Sequence, residues 1–233
     1  MDKVKKGTLY GVSVGPGDPE LMTLKAVRCM EQCPVLAAPQ TAAGRMLALD
    51  IAKGAVDVSG KIILPLHFAM SRDSEVLKAS HAAAADAVRA HLDAGRDVAL
   101  LNLGDVSIYA TYGYLEEILT AQGYAAVRIA GVPSFCAAAA RLGQSLTGGM
   151  EQPLTIAPGR HVEQVLAAPG AKVLMKTGRQ LPQTLDALRE RGLLANSAMV
   201  CNCGLPDEAV FPALTDYDPA QDAGYFATIL VKE

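Results

Sequence analysis

The chain has 233 residues, 51% hydrophobic and 19% charged, with a formal net charge of −3. Such a balance describes a globular protein able to bury one large core or two smaller ones, and it excludes a polybasic nucleic-acid binder, since the only basic cluster is Lys3, Lys5 and Lys6. Apolar stretches are short and broken by charge and the Met-Asp-Lys-Val-Lys-Lys start has no apolar signal core, so no membrane span and a cytoplasmic location are expected.

Leu9 to Val14 reads as a buried strand that breaks into Gly15-Pro16-Gly17-Asp18-Pro19, and Glu20 to Glu31 as the helix that follows. A strand ending in such a loop exposes backbone donors and acceptors with little side-chain bulk, which suits a small ligand pressed against main chain. Gly11, Gly15 and Gly17 do not give G-x-G-x-x-G, and no G-x-x-x-x-G-K-[ST] is present, so neither phosphate-loop fingerprint applies. Taken alone, the loop is equally a strand-to-helix turn with no ligand.

Farther on, Val35 to Ala38 is expected as a strand, Gly44 to Ile51 as a helix and Ile62 to Leu64 as a strand. Ser74 to Ala94 is a long alanine-rich helix ended by Gly95, and Asp97 to Asn102 a nearly continuous apolar strand of the kind that parallel sheets cover on both faces. Thr111 to Ala121 reads as a helix, Ala126 to Ile129 as a strand, and Ser134 to Leu142 as a helix with Ser134 as its N-cap. Beyond these, Leu154 to Ala157, Ala171 to Lys176, Ala198 to Asn202 and Tyr225 to Val231 are expected strands, with a helix at Gln180 to Arg191. The alternation predicts an α/β protein of two domains, residues 1–122 and 123–233, meeting near Gly123, the second more mixed in strand direction.

A second loop cluster, Leu103-Gly104-Asp105-Val106-Ser107-Ile108-Tyr109, follows the Asp97 to Asn102 strand. Ligands of open α/β sheets bind outside the carboxyl ends of strands, so the two loops are expected to line one crevice. Asp105 there accepts hydrogen bonds from a cationic or hydroxyl-bearing ligand, or caps the next helix. The five cysteines (Cys29, Cys33, Cys136, Cys201, Cys203) and four histidines (His67, His81, His91, His161) show no metal-ligand spacing, so reduced thiols and no metal are expected. No Ser-His-Asp or Cys-His arrangement is legible.

GVSVGPGDPELMTLKA, LGDVSIYATYGYL, IAGVPSFCAAAARLGQSLT, VLMKTGR and YFATILVK, in that order, resemble the S-adenosylmethionine-dependent tetrapyrrole methylases of corrin and sirohaem synthesis, and within them the enzymes that methylate C20 of precorrin-2 or cobalt-factor II on the route to cobalamin. The resemblance implies a class III methyltransferase fold of two α/β domains with the donor in a cleft between them. By position it implies that Pro16, Leu103, Gly104, Asp105, Ile108, Ser134, Phe135, Met175, Gly204 and Thr228 contact S-adenosylmethionine. Met175 is otherwise read as core packing on an apolar strand. Asp105, Lys176 and Tyr225 are the candidates for removing the meso proton and stabilising the macrocycle. A tetrapyrrole with eight carboxylates further directs attention to Arg45, Arg72, Arg160 and Arg179, and a homodimer is implied.

Three departures stand out. Val106 replaces the proline usual after Gly-Asp, which is expected to loosen the loop. The second strand ends Leu36-Ala37-Ala38-Pro39-Gln40, without the Tyr-Asp of the uroporphyrinogen-III methylases, which points to a later methylation. The longer connection from Gly54 to Ser80, with His67, Phe68 and Met70, reads as a substrate lid or a disordered loop. Other functions left open are another corrin-pathway methylase, a same-fold protein or RNA methyltransferase, and a non-catalytic ligand-binding domain.

Overall fold

The computed structural model describes residues 5–218 and 225–232, apart from the side chain of Arg179. The chain forms two units, Met1–Pro133 and Ser134–Glu233.

The first unit is built on five parallel strands: β1 (Thr8–Ser13), β2 (Val35–Pro39), β3 (Ile62–Leu66), β4 (Val98–Asn102) and β5 (Ala125–Ile129), in the order β3-β2-β4-β1-β5. Central β4 is buried at every residue, as its unbroken apolar sequence requires. Helices α1 (Leu24–Gln32), α2 (Leu47–Ala52), α3 (Ser74–Asp93) and α4 (Tyr112–Ala121) make the crossovers. On one face Leu9, Val35, Ala37, Val98 and Leu100 form a core with Val88 and Leu92 of α3 and Tyr112, Leu115 and Leu119 of α4. The alternate residues Val12, Leu36, Ala99 and Leu101 are equally buried on the other face, and α1 and α2 contact β1 and β2. Gly11 admits the Tyr112 ring: a Cβ there would lie 2.5 Å from it.

The expected helix over Glu20 to Glu31 is split in two. Asp18 caps a 3₁₀ turn at Pro19–Leu21 by accepting the Glu20 N–H (2.9 Å), and Thr23 caps α1 by accepting the Ala26 N–H (3.2 Å). The next helix starts at Leu47 instead of Gly44, because Gly44 sits at φ 83° and closes a turn back onto Thr41. Pro65 is accommodated because β3 is an edge strand. The expected boundary at Gly123 falls inside the first unit. Gly123 (φ 80°) ends α4, its N–H donating to the Thr120 carbonyl and that of Tyr124 to the Leu119 carbonyl, and the chain then enters β5 beside β1. A helix-terminating glycine and a linker glycine look alike in sequence.

The second unit opens with α5 (Ser134–Arg141) and contains β6 (Leu154–Pro158), α6 (Val162–Ala167), β7 (Ala171–Met175), α7 (Leu181–Glu190), β8 (Ser197–Cys201), β9 (Ala209–Phe211) and β10 (Ala227–Val231). Its sheet has the order β6-β7-β10-β8-β9. Among the described residues only β6 and β7 pair in parallel in this sheet; β10 runs antiparallel to both β7 and β8, and β9 antiparallel to β8, the mixed sheet the sequence predicts. α6 and β9 have no counterpart in the sequence analysis. The i, i+3, i+4 spacing of Val162, Val165 and Leu166, all buried in this core, is the missed helical signal.

Candidate active site

In the first unit the carboxyl ends of β1, β4 and β5 are joined by loops bound to one another. The Gly104 N–H donates to the Gly15 carbonyl (2.7 Å) and the Val14 N–H to that of Asn102 (2.9 Å), with Gly15 and Gly104 at φ 74° and 67°. The two glycine loops, expected to line one crevice, are thus hydrogen-bonded to each other. Fully buried Ser13, the last residue of β1, ties in the third: its Oγ donates to the Ile129 carbonyl (2.7 Å) and accepts the Val106 N–H (2.9 Å). Thr23 Oγ1 adds a bond to the Ala130 carbonyl (3.2 Å).

Asp105 is the hub of this arrangement. One carboxylate oxygen accepts the Gly131 N–H (2.7 Å), and the other accepts the Ser107 N–H (2.8 Å) and hydroxyl. Burial alone would raise its pKa, but these bonds and the nearby Arg128 charge outweigh it and hold the carboxyl below the usual range. Gly131 is required: a Cβ would lie 2.3 Å from Ser13 Cβ and 2.8 Å from the Gly104 carbonyl oxygen. Around this network Pro16, Leu103 and Ile108 are half-buried, presenting small apolar surfaces beside bare main chain.

Val106 does not loosen its loop in the way the missing proline suggests. Its N–H, which a proline lacks, is the donor to Ser13, and its side chain is buried.

In the second unit a corresponding group lies where β6, β7 and β8 end and antiparallel β10 begins. Thr228 stands opposite Met175 on one side and Val200 on the other. Its buried hydroxyl is 3.3 Å from that of Ser134, the first residue of α5, so the Ser134 side chain is shared with β10. Phe135 is buried beside it, and Met175 is half-buried at the strand end. Gly204, at φ 78°, follows β8 and donates its N–H to Glu208 (2.8 Å). Two residues after Met175, Thr177 is fully buried with a hydroxyl that has no partner among the described residues, close against Gly159.

Lys176 follows Met175 in the left-handed region (φ 51°), as do Tyr109 and Asn202 after β4 and β8. Non-glycine residues held there mark positions fixed by their surroundings, often near ligands. Partial burial, helped by the Arg160 charge, pulls the Lys176 ammonium below its ordinary value. Tyr225 packs edge-on to Phe226 (5.2 Å) and over Gly178, and partial burial pushes its phenol up.

The other basic candidates are less engaged with these loops. Arg45 faces Asp50 at 3.7 Å on an exposed surface, Arg72 is exposed, Arg160 donates to His161 (3.1 Å), and the Arg179 side chain lies outside the described residues. The segment with His67, Phe68 and Met70 is pinned to α3, because Ser80 Oγ accepts the Ala69 N–H (2.8 Å) and donates to the His67 carbonyl (3.2 Å). Ser13, Gly131, Thr177 and Glu208 escaped the sequence analysis. Ser13 alone carried a signal, as the polar end of an otherwise apolar strand.

Among the described residues no three His, Cys, Asp or Glu side chains converge as metal ligands, and no helix is long and apolar enough to cross a membrane. The chain is similar to the cobalamin biosynthesis protein CobIJ of Mycobacterium tuberculosis, 33% identical over 219 residues, 89% of this chain and 43% of that protein. It therefore spans less than half the length of that relative. It is also similar to the precorrin-2 C(20)-methyltransferase of a Sinorhizobium species (33% identical, 99% of this chain and 97% of that protein) and the cobalt-precorrin-2 C(20)-methyltransferase of Salmonella typhimurium (30%, with 97% of each covered). Among solved structures, uroporphyrin-III-C-methyltransferase from Thermus thermophilus has a TM-score of 0.69 at 26% identity, over 97% of this chain and 94% of that one. The model of the tetrapyrrole (corrin/porphyrin) methylases matches residues 8–216. With that match added to the joined glycine loops and the Met175–Thr228 pair, the chain belongs to the tetrapyrrole (corrin/porphyrin) methylase family.

Proposed function

We propose that this chain is an S-adenosylmethionine-dependent methyltransferase that methylates C20 of precorrin-2 or of its cobalt form, in cobalamin biosynthesis. The observation that carries the reading is identity of 30 to 33% with C20-methyltransferases over nearly the whole chain. The residues fit the donor: glycine-lined loops offer main-chain groups, Thr177 keeps a buried hydroxyl without a partner among the described residues, and Met175 and Thr228 border an apolar strand end. The proposed donor contacts are Pro16, Leu103, Gly104, Asp105 and Ile108 in the first unit, and Ser134, Phe135, Met175, Gly204 and Thr228 in the second. When bound, the donor supplies an electrophilic sulfonium methyl group.

The chain's remaining work is to orient the nucleophilic carbon and accept the proton that leaves C20 as the new carbon–carbon bond forms. Asp105 is a poor acceptor, because its carboxylate already takes three donors from its own loops. Tyr225, with its raised pKa, stays protonated and serves as a donor. Lys176 is the one of the three shifted toward an uncharged base, and we assign it the proton. We also propose a cytoplasmic homodimer; elution as a monomer at micromolar concentration overturns the dimer.

The purified chain, given methyl-labelled S-adenosylmethionine with precorrin-2 or cobalt-factor II at matched concentrations, should transfer label to C20 of one of them. Transfer to neither sinks the assignment, and the ratio of rates decides the metal state of the substrate.

A further inference from the structure

The Gly204 loop is held by one carboxylate. Glu208 accepts the Gly204 N–H through Oε2 (2.8 Å) and the Arg141 Nε–H through Oε1, and it is also hydrogen-bonded by the Cys203 side chain. Its side chain is 15% exposed, against 61% for Arg141. The loop also closes on itself: the Leu205 N–H donates to the Asn202 carbonyl (2.9 Å), the Glu208 N–H to that of Leu205 (3.0 Å), and Asn202 Nδ2 to Asp207 Oδ2 (2.8 Å). With its N–H taken, Gly204 offers a ligand its carbonyl and an unsubstituted Cα.

Arg141 is the last residue of α5, and Ser134, its first, meets Thr228. One helix therefore carries at its two ends a hydroxyl beside β10 and the cation that anchors the Gly204 loop. We propose that Glu208 and Arg141 are a positioning pair that sets the affinity for the methyl donor by fixing the Gly204 loop on α5. The inference rests on the proposed role of Gly204 at the donor.

An exposed ion pair contributes little by itself, whereas a carboxylate removed from two further donors leaves them without an acceptor. The two halves of the pair are therefore unequal. Glu208→Ala should weaken S-adenosylmethionine binding about tenfold by titration calorimetry, Glu208→Gln less because an amide oxygen still accepts, and Arg141→Met least. KM for the tetrapyrrole should move less than twofold in all three, and amide exchange over residues 202–208 should accelerate in Glu208→Ala. A general loss of folding would instead raise both constants; should Glu208→Ala fail to fold, Glu208→Gln carries the same comparison. Wild-type donor affinity in Glu208→Ala, or unchanged exchange over that loop, overturns the inference while leaving the methyltransferase reading intact. Failure of the wild-type chain to bind S-adenosylmethionine overturns that reading, and the inference with it.

Discussion

Ser13→Ala tests whether one hydroxyl sews together the three loops of the first unit. Ser13 is fully buried, donates to the Ile129 carbonyl at 2.7 Å and accepts the Val106 N–H at 2.9 Å. Alanine introduces no clash, so the effect isolates the two lost bonds. Each buried group left without a partner costs about 1–3 kcal/mol, and limited backbone relaxation puts the sum at about 2–4 kcal/mol. With a urea slope of about 3 kcal/mol/M, the unfolding midpoint should fall by about 1 M. Circular dichroism follows the transition, and if the two units melt separately only that of the first should move. A loss below about 1 kcal/mol would refute the argument, because it would mean that Ile129 and Val106 find other partners.

Gly11→Ala places a Cβ 2.5 Å from the buried Tyr112 ring and should destabilise by about 1–3 kcal/mol through overpacking; partial recovery in Gly11→Ala/Tyr112→Leu would identify the clash as the cause. Asp105 has a depressed pKa in the folded state, so the unfolded chain binds more protons between the two values and stability rises with pH there. Its contribution is complete above about pH 4 and is lost as pH falls through the folded value, so Asp105→Asn should flatten the acid side of urea stability; an unchanged acid limb counts against the assigned bonds. Lys176→Met should lower kcat by about 10²-fold or more with donor affinity within threefold, and the wild-type rate should climb with pH along a limb below the ordinary lysine value of about 10.4. A kcat within threefold of wild type removes Lys176 from proton transfer.

The parallel sheet was legible because its strands are short apolar runs closed by glycine loops, a pattern that burial on both faces enforces on β4 above all. What escaped was competition between neighbours. Asp18 and Thr23 each cap a helical start, and neither reveals in sequence that both do so and split one helix into two. The domain boundary near Gly123 failed for a related reason, since a left-handed glycine ends α4 whether or not a domain ends with it. At the site, the glycines of two loops were visible, but Ser13 and Glu208 act through bonds to residues 93 and 4 positions away, and only the folded chain shows which donors they receive. Val106 is the sharpest case: without proline its loop reads as loosened, whereas the N–H it gains is one of the bonds that close it.

Asp105 and Glu208 solve the same problem in the two units. Each carboxylate accepts the N–H of a glycine in a loop at a strand end, Gly131 for one and Gly204 for the other, and each is held below its ordinary pKa after its burial cost is outweighed. A carboxylate committed in this way is ionised near neutrality but has its lone pairs turned toward its own backbone. It shapes a ligand loop and is a weak recipient for a substrate proton. We propose that acid–base work falls to a group whose environment pushes the other way, a requirement that Lys176, at φ 51° with its ammonium lowered, meets. On the proposed assignment the labour is divided as a reaction driven mostly by geometry requires: two carboxylates fix the loops, and one amine would accept the proton.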